Sequence, residues 1–312
     1  MAVAGRKRGL APWTWVLVAA IAVLELAAHA WIVAAIPSEQ SWEAASAFVR
    51  ARFRAGDRIV AAPAWVDPIV RNQLGDLLSL RSAAAVDLGG VDRVWELSIR
   101  GAEERRESVE LDQRFGAVRV RMWPLLSEPL IYDFVEEVAR AKVELLGAEG
   151  SKPCAWMRAR SSSGGLGQGP MTPKERFICD PQRPWLWVGA TVLTDLDFHP
   201  RRCVFQHPTG VDPVRVTFQD VPLGERLVVH GGIQYESERS RQHDPVTLRV
   251  WIDGRLAGEL VHQDGDGWTG MEIDTSALAR ERAEVRFETT TSNPKARLFC
   301  WSASSRSAAR HD

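Results

Sequence analysis

A nearly unbroken apolar run from Trp13 to Ile36 constrains this chain more than any other feature. It is 24 residues long and carries only Glu25 and His29 as ionisable groups. About twenty apolar residues in a helix cross a bilayer core, so residues 11–36 read as a transmembrane anchor behind a short tail, 1–10. Arg6, Lys7 and Arg8 precede the run. By the positive-inside rule they keep the tail cytoplasmic and send everything after Pro37 to the other side. Ala28-His29-Ala30 has the small-x-small form of a signal-peptide cleavage site, yet Trp31 to Ile36 continues the apolar pattern past it, which spanning needs and export does not. Both readings export the rest of the chain. Glu25 and His29 lie four apart and share a helical face. Ionisable groups in a span are costly and usually face protein or water, so the pair reads as a contact for a membrane-protein partner, against the plain alternative of an anchor that tolerates two titratable groups.

The net charge of −1 gives no argument for a nucleic-acid partner. Arginine outnumbers lysine 34 to 5 and alanine is abundant, which reads as the coding bias of a GC-rich, bacterial genome. The compartment expected is therefore a bacterial inner membrane with the C-terminal domains periplasmic. All four cysteines, Cys154, Cys179, Cys203 and Cys300, follow the apolar run, and an even set in an exported segment favours disulfides. Three pairings are open. Cys154 with Cys179 would close a local loop and Cys203 with Cys300 would tie an early strand to the last, and this pairing is preferred. Zinc is disfavoured because no C-x-x-C spacing occurs.

The exported part divides in two by texture, as its length suggests. Ser41 reads as a helix cap, with Trp42, Ala45, Val49 and Phe53 at helical spacing and Gly56 as the stop. Arg58–Ala62 reads as a strand, Asp67-Pro68 opens a helix through Leu78, and Val94–Ile99 and Val118–Met122 alternate as strands do. Tyr132–Leu146 reads as an amphipathic helix. These elements predict a small α/β domain over 41–146. A Ser/Gly-rich loop occupies 161–170, and it is no dinucleotide loop because Pro170 stands where the third glycine should be. Beyond it, short strands are expected at Leu186–Leu193, Cys203–Gln206, Val214–Phe218, Leu227–Gln234, Val246–Ile252, Leu256–His262, Gly270–Ile273, Ala283–Thr289 and Ala296–Trp301. Asp253-Gly254 marks a tight hairpin. Strands at this spacing predict a jelly-roll β-sandwich over 147–303, with 304–312 as a flexible tail. The fold class is thus α+β and multidomain.

The string Ser41 to Arg50, followed by Ala55-Gly56-Asp57-Arg58-Ile59-Val60, resembles the soluble extracytoplasmic module of membrane glycosyltransferases that use polyprenyl-phosphate sugars. Those enzymes span the membrane many times and keep their catalytic carboxylates in loops between early spans. One apolar run supplies no such loop, so the resemblance, over about residues 41–140, implies a related module. The later half, through Val246–Gly254 and the His262–Trp268 turn, resembles jelly-roll carbohydrate-binding modules, which implies that fold and a glycan partner.

Trp185 and Trp187 lie two apart, so in a strand they share a face. With Trp268 they are candidates for a flat aromatic platform under a sugar ring, against the plain reading of sandwich core, which Trp251 and Trp301 fit better. His262 is a candidate ligand contact. In His262-Gln263-Asp264-Gly265-Asp266-Gly267-Trp268 the carboxylates of Asp264 and Asp266 could hold calcium, although an ordinary Asp/Gly turn explains the string as well. No other cofactor is implied. The histidines show no H-E-x-x-H spacing, and no G-x-S-x-G elbow is present. The expected function is a membrane-anchored binding or accessory protein of the cell envelope, recognising glycan or lipid-linked sugar. The alternatives are an envelope carbohydrate-active enzyme and a structural subunit docked to a membrane complex.

Overall fold

In a computed structural model the chain is described at residues 12–34, 36–103, 109–126, 128–158, 171–210, 213–240 and 243–308. Arg6–Arg8 and the Ser/Gly-rich stretch 161–170 lie outside the described residues. The chain forms two compact units, residues 1–78 with 93–124, and residues 79–92 with 125–312.

The first unit contains helix α1 (Pro12–Ala34), which is long and apolar enough to cross a membrane, with a mean hydropathy of 2.2 and no buried share. Glu25 and His29 are both exposed on it. Helix α2 (Glu39–Arg50) starts two residues before the expected cap: Ser38 is the cap, and its Oγ accepts the Ser41 N–H at 3.2 Å. Strand β1 (Asp57–Ala62), helix α3 (Asp67–Leu74), and strands β2 (Arg93–Ile99), β3 (Leu111–Phe115) and β4 (Val118–Pro124) complete the unit. The sheet order is β1-β2-β4-β3, with only β1–β2 parallel. Trp42, Ala45 and Val49 of α2 and Val70 and Leu74 of α3 share one core with Trp95, Leu97 and Val120. On β2 and β4, Arg121 Nη2 lies 2.7 Å from Glu96 Oε1, and both side chains are buried.

The second unit is the β-sandwich. A short helix α4 (Leu80–Ala83) precedes β5 (Leu130–Asp133), β6 (Lys142–Gly147), β7 (Gly150–Pro153), β8 (Ala155–Arg158) and β9 (Glu175–Ile178). Strands β10 (Trp187–Thr194), β11 (Pro200–Gln206), β12 (Val214–Pro222) and β13 (Arg226–Ile233) follow, then helix α5 (Tyr235–Glu238). Strands β14 (Val246–Ile252), β15 (Arg255–His262), β16 (Thr269–Asp274), β17 (Arg282–Thr290) and β18 (Phe299–Arg306) complete the chain. One sheet runs β16-β13-β18-β11-β10-β9-β8, with β5 also paired to β18, and the other runs β15-β14-β17-β12-β6-β7. Both sheets feed one core, with Val188, Val204, Val229, Phe299 and Trp301 from the first against Val143, Val216, Phe218, Leu248, Val250 and Phe287 from the second. All nine strands expected from the sequence after residue 185 are present, the last displaced to Phe299–Arg306. At the β14–β15 hairpin Asp253 and Gly254 both take positive φ, as a two-residue turn of this type requires.

Residues 132–146 form no helix. The segment is the end of β5, a 3₁₀ turn at Val138–Arg140, and β6. The Asp133 carboxylate takes the N–H groups of Val135 and Glu136, β5 pairs with β18, and β6 pairs with β12. Phe134, Val135, Val138 and Ala141 do turn to one side, but into the sandwich core. Tertiary pairing overrides a helical spacing here, and it moves residues 125–146 out of the expected α/β domain and into the sandwich.

The disulfides join Cys154 to Cys179 and Cys203 to Cys300, the preferred pairing. Their separations of 25 and 97 residues set different constraints on the unfolded chain. Closing the longer loop restricts the unfolded ensemble more. Replacing Cys203 and Cys300 together by Ala is expected to cost the sandwich about 2–5 kcal/mol, and the Cys154/Cys179 pair less, in urea denaturation followed by tryptophan fluorescence. Equal losses would show that native-state packing, rather than loop closure, sets the effect.

Candidate functional site

The outward face of the β10–β11–β18 sheet carries a second, smaller apolar cluster. Because side chains alternate along a strand, Val188 and Val204 point into the sandwich while Trp187, Leu193, Cys203, Phe205 and Cys300 point away from it. Trp187 stacks on Phe205 with centroids 4.2 Å apart and is buried, 3% exposed. Trp268 joins the same cluster, packed over Gly232, where a Cβ would stand 2.4 Å from Trp268 Cε3. Trp185 alone of the expected platform is open, at 42% exposure, with His207 4.7 Å and the Arg183 guanidinium 5.9 Å from its ring. Trp185 and Trp187 therefore do not form one flat surface: Trp187 is held inside a small core, and Trp185 precedes the strand.

His262 does not reach a ligand surface. It is fully buried, with Nε2 3.2 Å from Glu238 Oε1. The same carboxylate oxygen accepts the N–H groups of Gly265 at 3.2 Å and Gly267 at 2.7 Å. Asp264 accepts from Arg297 Nη2 at 2.7 Å and from the His243 N–H at 3.1 Å, with His243 Nδ1 at 3.0 Å. Burial alone would raise the Asp264 carboxyl, but these hydrogen bonds outweigh it and hold it below the ordinary value. Asp266 accepts the N–H of Gln263 at 2.8 Å. Positive charge at Asp264 thus comes from the buried Arg297 side chain, and Asp266 serves its own turn. No cluster of three or more His, Cys, Asp or Glu that could hold a metal occurs among the described residues.

The most exposed aromatic group of the sandwich sits elsewhere, in the β10–β11 turn. Phe198 is 66% exposed and takes φ +63°, a conformation that a bulky residue adopts only at a cost of about 1–3 kcal/mol. What imposes it is Asp195, whose buried carboxylate takes the N–H groups of Asp197 at 3.0 Å and His199 at 2.9 Å, and Arg201 Nε at 2.7 Å. The turn aims Phe198 at Tyr235 on α5, with ring centroids 4.2 Å apart and planes at 42°. Arg239 lies 5.6 Å over the Tyr235 ring, and its Nη1 donates to Tyr235 Oη at 3.3 Å. Two aromatic rings and a guanidinium are therefore prearranged at the surface. The sequence reading missed both rings, since it weighed tryptophans. Its one available signal was Asp195-Leu196-Asp197-Phe198-His199-Pro200, a turn string with a large aromatic residue at its tip.

No family model matches this chain. No curated protein matches it. Among solved structures, one of the CBM51-2 and INT domains of Clostridium perfringens ZmpB aligns at 13% identity and a TM-score of 0.30, covering 55% of this chain and 37% of that one. The tandem CBM51 modules of a family 98 glycoside hydrolase from Streptococcus pneumoniae align at 10% identity and a TM-score of 0.30, covering 62% and 56%. A CBM51 of Clostridium perfringens GH95 in complex with methyl-galactose aligns at 6% identity and 0.27, covering 48% and 93%. This chain spans little more than a third of the first of these structures, and its functional reading stands on its own residues.

His207, beneath Trp185, provides a titration test of the described packing. Burial pushes its imidazole down to about 4 from an ordinary 6.5, against the opposing effect of the Pro208 carbonyl at 2.7 Å. The unfolded chain takes up this proton near 6.5 and the native state only near 4. Stability from the neutral ring is therefore complete above pH 6.5 and is lost as pH falls toward 4, by at most about 1.4 kcal/mol per pH unit. Urea denaturation of His207→Gln is expected to give a flatter stability profile across that window than the parent chain. Parallel profiles would show that His207 is not buried as a neutral ring.

Proposed function

We propose that the β-sandwich binds glycan, or the sugar of a lipid-linked precursor, at the outer face of a bacterial inner membrane, with the helix Pro12–Ala34 as its anchor. The observation that carries this reading is Phe198, an exposed ring held in a costly conformation by a buried carboxylate and packed on the half-buried Tyr235. A protein that needed only a turn at 195–199 would place glycine or asparagine at positive φ. Holding phenylalanine there spends folding stability on presenting a ring to solvent, and strain of this kind is characteristic of binding sites. The C–H face of a pyranose is apolar and weakly positive, which suits the negative face of an aromatic ring. Arg239 beside the pair adds donors for ring hydroxyls. Two disulfides fit the oxidising compartment that this topology implies. Glu25 and His29 are the residues through which a membrane-protein partner would dock.

The test is retention of the full-length chain, in a detergent without a sugar headgroup, on insoluble envelope glycan and on a panel of immobilised polysaccharides. Phe198→Ala and Tyr235→Ala are each expected to weaken retention about tenfold, equivalent to ~1.4 kcal/mol, with the unfolding midpoint of the sandwich unchanged or raised for Phe198→Gly. Failure of the parent chain to be retained by any glycan, or equal retention by the Phe198 and Tyr235 variants, overturns the reading.

A further inference from the structure

The sandwich also contains a half-open cavity of mixed polar and apolar lining that neither the tryptophans nor the Phe198–Tyr235 pair touches. It has a volume of about 90 Å³ and lies between the segment 79–92 and the outward faces of β5, β11, β13 and β18. Its charged walls are Arg81, Asp87, Asp133, Arg202 and Arg306, with the His230 ring beside them. Ser302 and Ser304, outward-facing on β18, contribute hydroxyls to the lining. The segment is fixed over the sheet by backbone and side-chain bonds: Arg202 N–H donates to the Ala84 carbonyl at 2.8 Å, and Arg306 Nη2 lies 2.6 Å from Asp87 Oδ2. A Cβ at Gly89 would fall 2.2 Å from the Arg306 guanidinium carbon, so a side chain there would have to displace that guanidinium.

The charges in this cavity interlock. Arg81 Nη2 is 3.1 Å from Asp133 Oδ2, and Arg202 Nη1 is 3.7 Å from the same oxygen. Glu136 faces both guanidiniums at 3.4 and 3.1 Å, and Glu128 stands 3.5 Å from Arg306. His230 Nε2 is 3.9 Å from Asp87 Oδ2, and burial holds its imidazole below the ordinary value despite that carboxylate, so it is neutral at pH 7. Asp87 itself is held low: burial would raise it, but Arg306 and the Gly89 N–H outweigh burial. Three guanidiniums and two carboxylates thus line the cavity, and Glu136 and Glu128 stand behind them, Glu128 also held by Arg226 Nη2 at 2.6 Å. An entering anion would have to sit among carboxylates already in place, and an entering cation among guanidiniums. A hydroxyl group suits both partners, because it accepts from a guanidinium and donates to the adjacent carboxylate. The cavity has room for a few water molecules, which matches two adjacent hydroxyls at the edge of a ring and excludes a whole buried sugar.

We infer that this cavity is a second ligand site, taking the vicinal diol of a neutral cyclic polyol or of a sugar ring by paired Arg–carboxylate contacts. The inference stands apart from the aromatic pair and shares with the proposed function only the chemical class of the ligand. Equilibrium titration of the full-length chain by calorimetry would use myo-inositol and methyl α-D-glucopyranoside, with cis-1,3-cyclohexanediol, acetate and inorganic phosphate as comparisons. The expected result is millimolar or tighter binding of the two vicinal diols and at least tenfold weaker binding of the other three. Ala85→Leu fills the cavity and keeps every ion pair, so it is expected to weaken diol binding at least tenfold with an unchanged unfolding midpoint. Asp133→Asn removes one carboxylate and should weaken it similarly. Phe198→Ala should leave this binding unaltered. Failure of both diols to bind, preferential binding of phosphate or acetate, or full diol binding by Ala85→Leu overturns the inference. Loss of polysaccharide retention in Phe198→Ala with intact diol binding would separate the two sites, whereas diol binding lost in Phe198→Ala and kept in Ala85→Leu would place the ligand on the aromatic pair and overturn the cavity.

Discussion

The stack of Trp301 on Phe287, with centroids 4.0 Å apart and planes at 17°, joins the two sheets of the sandwich, and much of the second unit is arranged around it. Trp301 is on β18 and Phe287 on β17, the inner strands of their sheets. Phe134 and Phe218 meet Phe287 edge-on, and Phe218 also meets Trp301. A large indole inside such a core needs a partner for its N–H. Gln206 supplies it at 2.7 Å and passes its own amide to the Val214 carbonyl at 2.7 Å, so one buried side chain links β18, β11 and β12. Every residue of β18 is buried. Its inward side chains make the core, and its outward ones, Cys300, Ser302, Ser304 and Arg306, make the disulfide and the cavity floor. Strand alternation thus turns one segment of sequence into both the centre of stability and the base of a polar site.

That a sheet is covered on both faces explains why the expected tryptophan platform is absent. Outward residues of an antiparallel sheet are usually solvated. Here they carry Trp187 and Phe205 beside the Cys203–Cys300 disulfide, and the Trp268 ring closes over them at Gly232. Trp185 and Trp187 have the sequence signature of a shared exposed face, but their environments differ because this face is itself partly a core. Exposure passes instead to the hairpin tip, where Phe198 stands clear of both clusters.

The nine C-terminal strands, the Asp253–Gly254 hairpin and the long α1 helix were legible because each is encoded locally, in alternation, turn residues or apolar length. The helix expected at 132–146 fails for the reason that the others succeed. Phe134, Val135, Val138 and Ala141 carry a helical spacing, but the pairing of β5 with β18, about 170 residues away, decides the backbone. The Phe198–Tyr235 pair and the cavity were illegible on the same ground. Each brings together residues from distant segments, and nothing in the spacing of Arg81, Asp133 and Arg306 says that they meet. The His262–Trp268 string was found, and the Asp/Gly turn weighed for it is what forms there, with Asp266 accepting the Gln263 N–H; the partners of Asp264 were illegible because Arg297 and His243 lie outside the string.

Arg297 points to a wider regularity. A 34-to-5 excess of arginine over lysine reads in the sequence as coding bias alone, yet three irregular segments of the sandwich are fastened by a guanidinium on a carboxylate. Arg201 holds Asp195 in the Phe198 turn, Arg297 holds Asp264 in the 262–268 turn, and Arg306 holds Asp87 in the segment 79–92. Lysine would serve poorly at these positions, because a planar fork with several donors can satisfy a carboxylate and a neighbouring backbone carbonyl together. Arg201 does so with Asp195 and Val86, and Arg297 with Asp264 and Asp244. The same property that fixes these turns makes the cavity selective. A guanidinium locked to one carboxylate keeps donors in a fixed direction beside a fixed acceptor, and that alternation is the pattern which adjacent hydroxyl groups complement.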